Sequence, residues 1–140
     1  MKNLLLIPVF LFGTLYLHAQ NSIEVEIDNF KSDKGLVLLG LYNTEASFLE
    51  TPFKGEKVKI SGGKATFTFT NIPDGTYAIT LIHDEDKNDE LTKNFLGIPK
   101  EGYGASNDAP ANFGPPKWKD AKFEISNGET VKQKIRLRHF

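Results

Sequence analysis

The chain has 140 residues, a formal net charge of −1 and no cysteine. This length is that of one ordinary domain with its own apolar core, and the balanced charge argues against nonspecific binding to nucleic acid. Without cysteine, the chain has no disulfide, no thiol nucleophile, no lipid-modified cysteine and no cysteine-ligated metal.

The first twenty residues have the pattern of a signal peptide. One basic residue precedes an apolar run over 4–17, and the small residue Ala19 follows. This order is typical of secretory signals, with cleavage expected after Ala19 or Gln20. A membrane anchor is the alternative, but the run is short for a span and contains a proline and a glycine. We therefore expect residues 1–20 to be a signal peptide and residues 21–140 to be one exported domain, periplasmic or secreted, without a membrane span.

Most of the remaining chain alternates apolar and polar residues in short runs that end at turn residues. A period of two predicts strands with one buried face, and the glycine, proline and asparagine clusters between them predict turns. The predicted strands are 22–29, 36–42, 57–61, 65–70, 77–83, 121–125 and 131–137. One helical turn is expected over 44–49. About seven short strands predict an all-β fold, an antiparallel immunoglobulin-like or prealbumin-like β-sandwich.

A long segment over 84–119 interrupts this pattern with many glycines, prolines and asparagines. Loops of this length are uncommon within a compact domain and are usually functional or disordered. Six large apolar residues favour order, because they give the segment enough surface to pack against one end of the sandwich. These residues are Phe95, Leu96, Ile98, Tyr103, Phe113 and Trp118. We expect one long ordered loop, with any functional site lying on it.

The start of this loop is strongly acidic and is similar to the beginning of a calcium loop. Oxygen side chains at alternate positions curl around a hard cation. The candidate metal ligands are Asp84, Asp86, Asn88 and the carbonyl of Glu90. Glu101, remote in sequence, is a candidate to complete the shell. The turn glycine is replaced by Asp89 and the terminal bidentate glutamate by Phe95, so a bound Ca²⁺ would be held weakly. The alternative is a solvated acidic turn without a cation.

Side chains around this loop are also candidates for binding a ligand. They are His83, Glu101, Tyr103, Ser106, Asn107 and Trp118. His83 ends a strand in the inward phase, and it is either a general base or metal ligand, or a structural group bonded to loop backbone. Glu101 and Ser106 have structural alternatives as groups that order turns, and no nucleophile elbow surrounds Ser106.

Three rings of the loop are candidates for a contact platform. Tyr103, Phe113 and Trp118 form either an aromatic surface for a sugar or peptide, or a small core of the loop itself. A flat aromatic surface favours a binding module. A narrow, deep pocket that joins His83 and Glu101 favours an enzyme.

An ordered set of residues from the fifth predicted strand onward follows one signature. It joins a Gly-x-Tyr strand to a His-Asp-x-Asn-x-Asn-Gly-x-Leu-Asp turn, a Gly-x-Pro-x-Glu-x-x-Gly loop, Ser-Asn and Gly-Pro-Pro. The matches are Gly75, Tyr77, His83, Asp84, Asn88, Leu91, Asn94, Phe95, Gly97, Pro99, Glu101, Gly102, Gly104, Ser106, Asn107, Phe113, Gly114, Pro115, Pro116, Ala121 and Phe123. With these residues the chain resembles the secreted bacterial family called domain of unknown function 2141. Asp89 and Thr92 depart from its expected Gly and Asp, which weakens the calcium interpretation.

The resemblance covers nearly the whole exported chain and implies fold and secretion, since the family has no established activity. The stretch 72–77 is also similar to a turn and strand of prealbumin-like and collagen-adhesin B-type modules, a likeness of fold alone. We expect a small exported binding or interaction module with Ca²⁺ as its candidate cofactor. Its partner is an unknown ligand, an envelope or extracellular protein, or a glycan. The alternatives are a hydrolase that uses His83 with Glu101 or Asp84, and a purely structural envelope module.

Overall fold

A computed structural model describes residues 20–140, so the signal-peptide prediction falls outside the described residues except for Gln20. The strands are β1 (Asn21–Asp28), β2 (Leu36–Tyr42), β3 (Lys54–Val58), β4 (Ala65–Ile72), β5 (Gly75–Asp84), β6 (Tyr103–Ala105), β7 (Phe123–Ile125) and β8 (Thr130–Arg136). Within the described range, helix is limited to a 3₁₀ turn at Ser106–Asp108 and to α1 (Trp118–Ala121). The all-β prediction is confirmed.

The strands form two sheets that pack against each other. One sheet has the order β4–β1–β8, and the other has the order β3–β2–β5–β6, with β7 also paired to β5. The paired strands are antiparallel except for β1 and β8, which run parallel from Ser22 opposite Thr130 to Asp28 opposite Arg136. The predicted sandwich is therefore confirmed as mostly antiparallel, with one parallel pair at its edge.

Alternation along the strands decides which face each sheet buries. In β1, Ile23, Val25 and Ile27 are at most 1% exposed, while the acidic residues between them face outward. From the facing sheet, Leu41 and Ile79 are fully buried against the same core. Burying each aliphatic side chain of this size stabilises the fold by about 1.5–3 kcal/mol. This inner core is therefore the main source of stability.

The chain that follows β8 closes one side of the sandwich. The N–H of Tyr103 donates to the carbonyl of Arg138 at 3.1 Å, and the N–H of Arg138 donates back to the carbonyl of Tyr103 at 2.8 Å. A Cβ at Gly104 would lie 2.7 Å from Cγ2 of Ile135, so a larger residue would push the two sheets apart. This close approach brings the residues after β8 beside β6.

Three local predictions are wrong in detail. β3 begins and ends three residues earlier than the predicted 57–61 because it pairs with β2 over its whole length. Residues 44–49 form successive turns rather than a helical turn, and Leu49 has a positive φ of 67°. Ala121 belongs to α1, and the following strand begins only at Phe123.

The long loop is ordered as expected, but part of its apolar surface is not buried. Phe95 and Phe113 are 96% and 106% exposed, and Leu96 is 68% exposed. The prediction that these three side chains pack against the sandwich is wrong. Phe95 and Leu96 occupy a tight turn, closed by the N–H of Gly97 donating to the carbonyl of Asn94 at 2.9 Å, which directs both side chains into solvent.

Candidate functional site

The outer face of the sheet that contains β2 and β5 has a half covered by loop side chains and an open half. In the covered half, Tyr42 and Phe48 pack edge to face with ring centroids 5.3 Å apart, and Phe48 and Trp118 do the same at 5.6 Å. The small residues beneath these rings are Ala78, Ala105, Ala109 and Ala121, all buried. Because alanine is small, the loop lies close to the sheet here. This aromatic cluster covers the sheet over Ala78, and on its other side Tyr42 borders a further cavity over β2 and β3 that the charged residues Glu56, Lys57 and Asp89 also line.

Ser106 and Asn107 fasten the loop to the covered half. The buried hydroxyl of Ser106 accepts the N–H of Ile79 at 2.9 Å and donates to the carbonyl of Ala121. The side-chain amide of Asn107 donates to the carbonyl of Lys122 at 2.9 Å. Asn107 has a φ of 58°, a left-handed conformation that asparagine tolerates. Both side chains are occupied by internal bonds, which favours the structural alternative for them.

The open half is an apolar cleft of about 460 Å³. Thr80 and Ile82 lie at outward positions of β5 and form its floor. The walls are Leu49, Leu91, 97–99, Tyr103, 111–116 and Phe140. None of the side chains that line the cleft is charged. Its volume lies within the range of roughly 300–1,000 Å³ that is typical of small-molecule sites.

Exposed apolar side chains surround this cleft. Phe113 belongs to one wall, and Phe95 and Leu96 are on the turn that leads into another wall at 97–99. Phe140 stacks on Tyr103 with ring centroids 5.7 Å apart while remaining largely exposed. Contiguous exposed apolar surface of this kind is typical of an interaction site.

A second cavity, of about 610 Å³, adjoins the cleft and is basic. The residues common to both are Tyr103, Ala111, Asn112 and Phe140. Arg136 and Arg138 line the second cavity, and these two cationic side chains outnumber the one carboxylate side chain, that of Asp108. Burial raises the pKa of the Tyr103 phenol above its ordinary value, and the Arg138 guanidinium opposes that shift. We call this space the basic cavity.

The acidic turn over 84–90 folds around the Asp84 carboxylate, which is fully buried. Its Oδ1 accepts the N–H of Asn88 at 3.1 Å, and its Oδ2 accepts the N–H of Asp89 at 3.0 Å. Gly35 makes this burial possible from the other side, because a Cβ there would lie 1.9 Å from the Asp84 carbonyl. The conformation of this turn is therefore fixed by internal hydrogen bonds to a buried carboxylate, and the turn is not simply a solvent-exposed acidic segment.

Glu101 joins this turn from the far end of the loop. It is 6% exposed, and its carboxylate accepts the N–H of Glu85 at 3.0 Å and the N–H of Thr92 at 2.9 Å. Carboxylate oxygens of Asp84, Asp86 and Glu101 lie within 4.8 Å of one another. Oxygens bound to one Ca²⁺ at 2.3–2.6 Å are separated by at most about 5 Å. The donor set and its spacing therefore fit a hard cation.

Of the other two predicted metal ligands, Asn88 is bonded within the turn, while the carbonyl of Glu90 stays a prediction. The side-chain oxygen of Asn88 accepts the N–H of Glu90 at 2.8 Å, and the side chain of Glu90 is exposed. Asp89, which stands where the family pattern has glycine, keeps a positive φ of 64° and pairs with Lys57 at 2.7 Å. This substitution therefore preserves the turn while anchoring it to β3.

His83 faces the inner core and has no exposed surface. Its Nε2 lies 2.7 Å from the carbonyl of Lys34, and its ring meets Phe30 edge to face at 5.1 Å between centroids. Successive residues of a strand point to opposite faces, so His83 and Asp84 lie on opposite sides of β5. The imidazole is therefore on the other side of the sheet from the carboxylate cluster that contains Asp84. This placement corresponds to the structural alternative, in which His83 holds loop backbone.

The structure divides the predicted site residues into separate groups. Tyr103 and the highly exposed Phe113 both line the cleft, whereas Trp118 belongs to the aromatic cluster, so these three rings do not form one platform. Sequence reasoning missed Ile82 and Arg138, which line the two cavities. Ile82 had a detectable signal, since it is an apolar residue in the outward phase of its strand.

Fold and site together define an all-β sandwich module with an apolar cleft and a turn of clustered carboxylates on one outer face. Residues 25–133 match the family described as "Uncharacterized protein conserved in bacteria (DUF2141)", and the chain belongs to this family. The resemblance inferred from the loop signature is confirmed. Neither a curated protein nor a solved structure matches the chain. In the part of the chain that the structure describes, no helix is long and apolar enough to cross a membrane.

Proposed function

We propose that this protein is an exported binding module that holds an apolar ligand in the cleft on its outer sheet face. The observation that carries this proposal is an apolar cleft of about 460 Å³ whose lining has no charged side chain. Mostly apolar pockets of this size with few polar groups are the usual form of small-molecule sites. The signal-like residues 1–20 support export to the periplasm or beyond.

The hydrolase alternative receives less support from the geometry. A general base must come within about 3 Å of the proton that it removes. His83 has no exposed surface, and both oxygens of Glu101 accept hydrogen bonds from backbone N–H groups.

A purely structural module would not need the exposed rings of Phe95 and Phe113, because exposed apolar surface favours aggregation.

The proposal is tested with Nile red, an uncharged dye whose emission rises in apolar surroundings. We expect saturable binding to the native protein and at least tenfold weaker binding to Ile82→Gln, because a polar group then lies on the cleft floor. Ile60→Gln is the matched control, since Ile60 is also half-buried but packs against the inner core. No saturable binding, or equal loss in both variants, would remove the proposal.

A second candidate function is binding of Ca²⁺ by the acidic turn. It is favoured by the three carboxylates within 4.8 Å, of which Asp84 and Glu101 are buried without a cationic side chain bonded to them among residues 20–140. The residues that would hold the ion are Asp84, Asp86 and Glu101. A bound cation would relieve carboxylate repulsion and fix the segment that leads into the cleft wall at 97–99.

A further inference from the structure

The cleft and the basic cavity adjoin each other and share four lining residues. Two of these residues are Tyr103 and Phe140, whose rings stack, and the other two are Ala111 and Asn112. The two spaces differ sharply in charge. No charged side chain lines the cleft, while two arginine side chains line the basic cavity.

The two arginines are available to an anion. Neither Arg136 nor Arg138 forms a salt bridge within residues 20–140. The carboxylate of Asp108, the acidic side chain in this cavity, accepts the backbone N–H of Arg136 at 2.9 Å. Arg138 donates from Nη2 to the carbonyl of Asp108 at 2.9 Å, which positions its guanidinium without neutralising it. Hydrogen bonds from a guanidinium group to an anion are stronger than hydrogen bonds between neutral groups.

We propose that the two spaces together bind a single-chain anionic amphiphile, with its hydrocarbon tail in the cleft and its anionic head at Arg136 and Arg138. This inference rests on the proposed function, since it names the ligand class of the same cleft. The residues that line each space determine which part of the ligand binds there. An uncharged apolar cleft accepts methylene groups, and a neighbouring pair of guanidiniums accepts a carboxylate, sulfate or phosphate.

Other ligand classes fit the lining less well. An extended peptide gains affinity by pairing with an exposed sheet edge. The cleft floor lies on β5, whose backbone is paired with β2 and β6 on both sides, so no edge is free there. A glycan requires many polar partners, whereas the cleft floor offers one hydroxyl, and Thr80 already directs it to the Tyr42 oxygen at 3.4 Å.

Three ligands with the same ten-carbon tail separate the contributions of tail and head. Decanoate is anionic, 1-decanol is uncharged and decyltrimethylammonium is cationic. We expect calorimetric titration at low ionic strength to give the order decanoate, then decanol, then the cation, with decanoate at least tenfold tighter than decanol. Shortening the carboxylate from ten to eight carbons should weaken binding by about fourfold for each methylene removed.

Charge removal on β8 and just after its end supplies the matched variants. Arg136→Gln and Arg138→Gln should each bring the affinity for decanoate toward that for decanol while leaving decanol binding unchanged. Lys132→Gln is the control, because Lys132 is an exposed cation on the same strand that lines neither cavity. We expect it to bind decanoate like the native protein, apart from a small salt-dependent change in net charge.

The outcomes separate this inference from the proposed function. If decanoate and decanol bind equally, and both arginine variants match Lys132→Gln, the anionic head has no site, although the cleft still binds apolar tails. If none of the three ligands binds, the proposed function fails as well. Association only with vesicles, without binding of monomeric decanoate, would also overturn the inference and would assign the exposed rings to a membrane surface.

Discussion

The two halves of the outer sheet face both contain aromatic and aliphatic side chains, but these side chains are packed together in one half and exposed to solvent in the other. In the covered half, Phe48 and Trp118 pack over buried alanines, so the rings and the sheet exclude water together. In the open half, Ile82 lies beneath a cleft while Phe113 extends fully into solvent. Because the inner core and the aromatic cluster contain the packed apolar side chains, we expect the open half to contribute little to stability. This difference is the main reason to assign ligand binding to the open half.

Truncating one ring in each half gives the largest expected contrast. Trp118→Ala should lower the free energy of unfolding by about 2 kcal/mol, because its half-buried ring packs against Phe48. Phe113→Ala should change it by less than about 0.5 kcal/mol, because the ring is 106% exposed. Urea denaturation of the two variants and the native protein measures both values. Equal destabilisation would mean that the open half is packed in solution.

Calcium gives the next largest expected effect, because the acidic turn leads into the wall of the open half. If Asp84, Asp86 and Glu101 hold Ca²⁺ with a dissociation constant of about 0.1–1 mM, stability should rise by about 1.4 kcal/mol at ten times that concentration. Thermal melting in millimolar calcium and in chelator measures the rise. Identical melting temperatures in the two buffers would leave the turn as an acidic hairpin held by its backbone N–H groups.

A charge-removing variant controls this experiment. Asp86→Asn should lose the calcium response and should melt at a slightly higher temperature than the native protein in chelator, because one repelling carboxylate is gone. Glu124→Gln removes a carboxylate from an exposed position on β7, outside the cluster. It should keep the full calcium response, so a loss in both variants would indicate a general effect of charge.

Local patterns in the sequence predicted most of the strands and the inner core. Alternation identified Ile23, Val25 and Ile27 as one buried face and placed His83 in the inward phase, as observed. The parallel pairing of β1 with β8 was not predictable, since a period of two is the same for parallel and antiparallel neighbours. The register of β3 was missed because pairing with β2, rather than its own pattern, sets its bounds.

The site was harder to predict because it depends on contacts between distant parts of the chain. Glu101 reaches the acidic turn through backbone N–H groups of Glu85 and Thr92, and sequence spacing alone suggests this contact only as one option. The apolar residues of the loop were expected to pack, since composition does not reveal that a tight turn directs Phe95 outward. The basic cavity arises only when the residues after β8 pair with β6.

The most direct test of the account is a nuclear magnetic resonance titration of ¹⁵N-labelled residues 21–140 with 1-decanol. We predict saturable shifts of the backbone amides of Thr80, Ile82, Tyr103 and Ala111, which line the cleft, with little change at β1 in the inner core. These shifts should follow one dissociation constant. Shifts that do not saturate, or that concentrate at the exposed turn around Phe95 and leave the cleft floor unchanged, would contradict the assignment of the open half as a ligand site.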